Sequence, residues 1–138
     1  MNKIIQVIVI IIVCLFLVSM GTNGGNDVVK LPEPEENYTV TLIDQSDVSM
    51  ELEKFSCNGM TFFTGKLSRS EVSVDFSKIR SILFFLKDKK VFAKLILKDG
   101  KVVELLMKSK QPCYGRSSFG NVRIKMVDIK KITMHGKK

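Results

Sequence analysis

Apolar and polar positions alternate along most of the chain with a period of two. Val72, Val74 and Phe76 interleave with Ser73 and Asp75, and Val122, Ile124 and Met126 interleave with Arg123 and Lys125. Successive side chains of a strand point to opposite faces, so this spacing predicts half-buried strands. Between Val91 and Met107 a β-rich run is interrupted by Asp99-Gly100, a dipeptide that accepts the positive φ of a tight hairpin turn. Tyr38 to Asp44 and Val48 to Leu52 read as a looser hairpin around Gln45-Ser46-Asp47. The stretch Ser77 to Leu86 is the one place where the pattern also permits a helical turn.

The first 37 residues break this pattern. Ile4 to Val18 is apolar except for Gln6, Lys3 precedes it, and Ser19-Met20-Gly21 follows with small residues at the −3 and −1 positions of a cleavage site. That is the layout of an export signal, and the run is shorter than the ~20 residues a membrane span usually needs. Residues 1–21 are therefore expected to form a hydrophobic helix that is either a cleaved signal peptide or a retained anchor. Both place the remainder outside the cytoplasm, in the periplasm, on the outer side of a membrane or in the medium. Val13 stands before Cys14 where lipidation wants a small residue. Residues 22–37 hold Gly24-Gly25 and Pro32-Glu33-Pro34-Glu35-Glu36, the composition of a flexible linker. The folded domain is expected over 38–138.

Within it the chain repeats itself. Glu71 to Phe84 aligns without gaps on Asn121 to Met134, matching Val72 with Val122, Ile79 with Ile129 and Ile82 with Ile132. Upstream, Leu42-Ile43-Asp44 lines up with Leu97-Lys98-Asp99, Cys57-Asn58-Gly59 with Cys113-Tyr114-Gly115, and Phe63 with Phe119. Two related units follow, about 38–86 and 90–135, each read as four strands with one apolar face. Packing those faces together predicts an all-β fold, a small β-sandwich or closed barrel of about eight strands. The Ile-x-x-Ile ending each unit turns both isoleucines inward. Lys98-Asp99-Gly100, Phe119-Gly120, Val122-x-Ile124 and Ile129-x-x-Ile132 together resemble small uncharacterised exported β-proteins of bacteria. The resemblance implies a fold and a compartment, and no activity.

Cys57 and Cys113 are the two cysteines of the domain, and they are either a disulfide or two separate buried thiols. His135, the only histidine, stands beside Gly136-Lys137-Lys138 without an evident partner for acid–base work or metal binding. Asp44, Asp47, Asp99 and Asp128 fall at predicted turns, where Asp bonds the local backbone. Glu51 and Glu53 share one face of a strand. Gly59, Gly65, Gly115 and Gly120 lack phosphate-loop spacing. Phe62, Phe63, Phe84, Phe85 and Phe92 read first as core. No cofactor is implied by any of these motifs.

Charge changes the picture most. The 138 residues carry a formal net charge of +8, and it is unevenly placed. From Asn37 to Ser77 there are three Lys/Arg against six Asp/Glu; from Lys78 to Lys138 there are seventeen against four. Outward Ser73 and Asp75 of the first unit become Arg123 and Lys125 in the second, so the architecture itself does not demand basic residues there. Lys94, Lys98, Arg123, Lys125, Lys130 and Lys131 are the candidate face for an anionic partner: phospholipid headgroups, an acidic envelope polymer or an acidic protein. The bland reading of the same residues is a solubilising surface that blunts sheet edges. Few aromatics interleave with them, so nucleic acid is not expected. The expected role is a binding or scaffolding module, with a structural subunit of an envelope assembly as the alternative and catalysis disfavoured.

Overall fold

The structure is a computed structural model, and it describes residues 28–138. The hydrophobic N-terminal helix, the choice between signal and anchor, and Cys14 all lie outside the described residues.

Ten antiparallel strands form one sheet: β1 (Tyr38–Asp44), β2 (Ser49–Cys57), β3 (Phe62–Leu67), β4 (Ser70–Asp75), β5 (Ile79–Lys87), β6 (Lys90–Leu97), β7 (Val102–Met107), β8 (Pro112–Ser117), β9 (Gly120–Lys125) and β10 (Ile129–Lys137). The sheet curls into a half-barrel, so all-β holds while the expected eight strands become ten. Each unit contributes five strands rather than four, because β3–β4 and β8–β9 are full hairpins. The helical turn that the pattern permits at the start of Ser77 to Leu86 is a short 3-10 turn, and the rest of the stretch is strand. Only the single 3-10 turn Phe76–Lys78 precedes β5, and Met126–Asp128 repeats it before β10. The apolar alternation of Ile79, Ile82 and Phe84 commits that segment to a strand.

The order across the sheet is β4-β3-β7-β6-β5-β10-β1-β2-β8-β9. Exchanging β1–β5 for β6–β10 reverses this order onto itself, which is the signature of a pseudo-twofold axis. The axis passes through the β5–β10 pair, where Ile82 faces Ile132. The two units are not stacked as separate sheets. They are interlaced: β3–β4 of the first unit adds to the β6–β7 hairpin of the second, and β8–β9 of the second adds to β1–β2 of the first. Neither unit buries its own apolar face alone, which is why one core serves both.

Register makes the correspondence exact enough to correct the sequence alignment. Val40 faces Leu52 as Ala93 faces Leu105. A Cβ on Gly65 would meet Leu105 Cβ at 2.7 Å, and a Cβ on Gly115 would meet Leu52 Cβ at 2.7 Å. Gly65 and Gly115 are thus equivalent, each letting an added hairpin close on the strand it joins. It follows that Cys113 corresponds to Phe63 rather than to Cys57, and Phe119 corresponds to Arg69. Leu42 corresponds to Leu95, two residues from the sequence match. The Cys-x-Gly similarity that lines up Cys57 with Cys113 is coincidental: Cys57 ends β2, whereas Cys113 lies within β8.

The two cysteines face each other across the β2–β8 ladder with Cα atoms 4.0 Å apart and sulfurs 2.15 Å apart, joined as a disulfide. It ties the first unit to the second. The four isoleucines Ile79, Ile82, Ile129 and Ile132 are fully buried, and Phe76 and Met126 plug equivalent positions of the core. Residues 28–37 are tied to the domain by hydrogen bonds: Asn121 donates to the Val29 carbonyl, Lys54 N–H donates to Asn37 Oδ1, and Lys138 N–H donates to the Asn37 carbonyl. The segment read as a flexible linker is thus held to the sheet over its last ten residues.

Candidate functional site

The six cations named from the sequence do not form one cluster. Lys94 and Lys131 lie in one register row on the outer side, with Leu83 of β5 between them. Lys98 follows β6 at a hairpin turn, where its N–H donates to the Lys78 carbonyl. Lys130 is engaged by Asp47 at 2.5 Å. Arg123 and Lys125 sit on edge strand β9, four strands from β10, about 19 Å at the usual strand spacing.

Arg123 and Lys125 are instead brought together with Lys110, which no sequence signal singled out. The three surround a shallow depression of about 450 Å³ floored by Pro112, Tyr114 and Ile124, with Asp128 at its margin. Lys110 reaches it because the loop after β7 is drawn onto the second 3-10 turn: the Ser109 carbonyl accepts from Val127 N–H and the Gln111 carbonyl from Met126 N–H. The pseudo-twofold supplies an internal control. At the equivalent positions the first unit has Met60, Thr64, Ser73 and Asp75 in place of Lys110, Tyr114, Arg123 and Lys125.

Asp75 and Lys125 show how that difference is accommodated. Asp75 Oδ1 accepts from Ser77 N–H at 2.9 Å and so caps the first turn. Lys125 has the same extended backbone and makes no side-chain cap; the Ser109 carbonyl satisfies Val127 N–H instead. Position 125 is therefore free to carry a cation. The Ser77 hydrogen bonds hold the Asp75 carboxyl below its ordinary pKa, so its stabilisation is present above the unfolded value and is lost as pH falls through the folded one. Asp75→Ala is expected to cost about 1 kcal/mol at neutral pH, with the difference from the parent vanishing in acid; urea titrations at two pH values check it. Tyr38 Oη also donates to Asp75, at 3.5 Å, and burial, followed by neighbouring Glu36, pushes its pKa up to about 12.

A second concavity adjoins the first. It is an open cleft of about 670 Å³ between β3 and the end of β7. Met60, Phe62, Leu106 and Met107 supply apolar wall, and Lys66, Lys108 and Lys110 stand along it with one carboxylate, Glu71. Lys110 lines both concavities.

His135 does find partners: its Nε2 lies 2.6 Å from Thr41 Oγ1, whose hydroxyl also donates to Glu51 at 2.6 Å. This group is exposed on the outer face of the sheet. Glu53 pairs with Lys138, which holds its carboxyl below the ordinary value. Asp44 accepts from Ser46 N–H and Val48 N–H, and Asp99 from Lys101 N–H, as turn residues do. Phe63 and Phe84 are core, whereas Phe85 stacks on Phe92 at 5.7 Å outside it and Phe62 lines the cleft. Among the described residues no group of three or more His, Cys, Asp or Glu could hold a metal ion.

A family model described as "Uncharacterised protein" matches residues 34–137, which spans all ten strands. The chain belongs to that family. Its matched region begins inside the Pro/Glu segment, in the stretch that the structure fastens to the sheet. Neither a curated protein nor a solved structure matches the chain.

Proposed function

We propose that this member of the family is a non-enzymatic binding module that works outside the cytoplasm and takes an anionic partner on the depression formed by Lys110, Arg123 and Lys125. The reading rests on one observation: three cations converge at a place where the pseudo-symmetric position carries Met60, Ser73 and Asp75. A surface basic only for solubility has no reason to concentrate its cations at one of two equivalent sites. Tyr114 adds a hydroxyl able to donate to an anionic oxygen. Export is carried by the apolar run at Ile4 to Val18, and the buried Cys57–Cys113 disulfide fits an oxidising compartment. A partner in that setting is a phospholipid headgroup or an acidic envelope polymer.

The test is co-sedimentation with vesicles containing phosphatidylglycerol, against neutral phosphatidylcholine vesicles. Binding is expected on the anionic vesicles only, weakening steeply between low and physiological salt. Each cation near an anionic surface contributes about 1 kcal/mol. Exchanging Arg123→Ser and Lys125→Asp, the residues of the first unit, is therefore expected to lower affinity at least tenfold with the fold intact. Binding that ignores salt, or that survives this exchange unchanged, would sink the proposal.

A further inference from the structure

We infer that the cleft between β3 and β7 is a binding site for the apolar chain of an anionic amphiphile, whose charged head rests on Lys108 and Lys110. This rests on the anionic-partner reading and names the ligand class for it.

The pseudo-twofold again provides the argument. Where β2 meets β8, the ladder continues through Glu53–Arg116, Ser56–Tyr114 and Cys57–Cys113, and the disulfide sutures its end. Where the equivalent β7 meets β3, the register consists of the single pair Lys66–Leu106. Beyond that pair the strands part, because the chain after Met107 is diverted to the second 3-10 turn. One fold thus has the same junction twice, closed on one side and open on the other. Among the described residues none fills the open side. Met60 and Phe62 remain 51% and 36% exposed, although both are large apolar side chains that burial would favour.

The chemistry of the wall selects the occupant. An apolar floor of about 670 Å³ is within the range of small-molecule sites. Its polar margin is cationic, three lysines to one carboxylate, so a neutral apolar ligand leaves those charges unused and an inorganic anion leaves the floor bare. A single-chain lipid with a phosphate or carboxylate head meets both. Lys110 is shared with the adjoining basic depression, which places further cations, Arg123 and Lys125, beyond the head position. Met60 corresponds to Lys110 across the pseudo-twofold, so the two units present an apolar and a cationic version of one position.

The experiment is calorimetric titration of the described domain within the full chain with inorganic phosphate and with butyl, octyl and dodecyl phosphate below their micelle concentrations; dodecyl maltoside is the neutral control. Affinity is expected to rise roughly threefold to fourfold per methylene over the part of the chain that the cleft buries, with the maltoside much weaker than dodecyl phosphate. Met60→Lys separates this inference from plain electrostatics. It adds a cation and removes apolar wall, so a chain-binding cleft loses at least fivefold for dodecyl phosphate, whereas a purely electrostatic surface gains. Phe62→Thr, a β-former at a half-exposed strand position, is expected to lower dodecyl phosphate affinity without altering inorganic phosphate binding. Equal affinity for all chain lengths, or tighter dodecyl phosphate binding by Met60→Lys, overturns the cleft. If anionic vesicles still bind in that case, the basic depression stands alone; if neither vesicles nor phosphates bind, both readings fail.

Discussion

Removing the Cys57–Cys113 bond, by reduction or by paired replacement with Ala, is expected to lower the stability of the domain by about 3–4 kcal/mol. The bond closes a long loop, since its ends are 56 residues apart. That loop contains β3 through β7, half of the sheet. Cross-linking removes from the unfolded chain the many conformations in which these ends are far apart, and a longer loop loses more of them. In the native state the bond joins β2 of one unit to β8 of the other, a pairing with no hairpin to enforce it. Both residues are fully buried, so replacement by Ala adds a small packing loss on top of the loop effect. Urea unfolding of the oxidised and reduced proteins under otherwise identical conditions measures the difference. A change below about 1 kcal/mol would mean that the β2–β8 register is held by its ladder and by Leu52 against Gly115, with the bond contributing little.

Much of the architecture was readable from periodicity. Period-two runs located β4 and β9, the β-rich run from Val91 to Met107 located β6 and β7, Asp99-Gly100 located the turn between them with Gly100 at φ 89°, and the gap-free match of Glu71–Phe84 on Asn121–Met134 survives in the register of Ile82 on Ile132. The interlacing was not readable. Whether β3 pairs with its own neighbour β2 or with β7 depends on which backbone it approaches, and the deciding residues, Gly65 and Gly115, carry no side chain to leave a pattern. The upstream alignment slipped because the first unit runs 13 residues from Leu52 to Gly65 where the second runs 10 from Leu105 to Gly115, with a register shift in β2 between Glu53 and Ser56 and Lys54 at φ 50°, so no single offset aligns both halves of a unit. An extra residue in a strand breaks period two, and the eye then fastens on identical letters such as the cysteines.

The candidate site was half legible for the same reason. Comparing matched positions singled out Arg123 and Lys125, since both units share the β4/β9 alternation. Lys94, Lys98, Lys130 and Lys131 were grouped with them on charge alone, and strand order separates them. Lys110 lies in a loop, outside any periodic segment, and is carried there by the pairing of β8 with β9 that begins at Pro112 and Lys125 and by the backbone bonds of Ser109 and Gln111 to the second 3-10 turn. The cleft is a consequence of two strands parting, which no residue type announces. Phe62, which reads as core in the sequence, is 36% exposed at the cleft, and Met60 beside it was not singled out.

Phe76→Ala is expected to be the most damaging single core substitution in the first unit, at about 3–5 kcal/mol. Phe76 opens the first 3-10 turn with 1% of its surface exposed, and its ring centroid lies 5.4 Å from Tyr38, 5.5 Å from Phe55 and 4.8 Å from Phe63. These partners come from β1, β2 and β3, so the ring ties β3 to the β1–β2 pair, from which the sheet order separates it. Truncation to Ala leaves a cavity with aromatic walls that cannot collapse, because each partner is fixed in its own ladder. The equivalent residue of the second unit is Met126, also fully buried. Phe76→Met therefore asks whether the position needs volume or a ring. Met retains most of the apolar bulk and adapts to an irregular space, so its expected cost is about 1–1.5 kcal/mol. Denaturant unfolding of both variants checks the pair of values. A small cost for Met beside a large one for Ala means that volume governs the plug and that the two units differ there only in shape. Equal costs would mean that the edge and stacked ring contacts hold the first unit together, and that the aromatic cluster is a feature the second unit has replaced with its disulfide-linked strand β8.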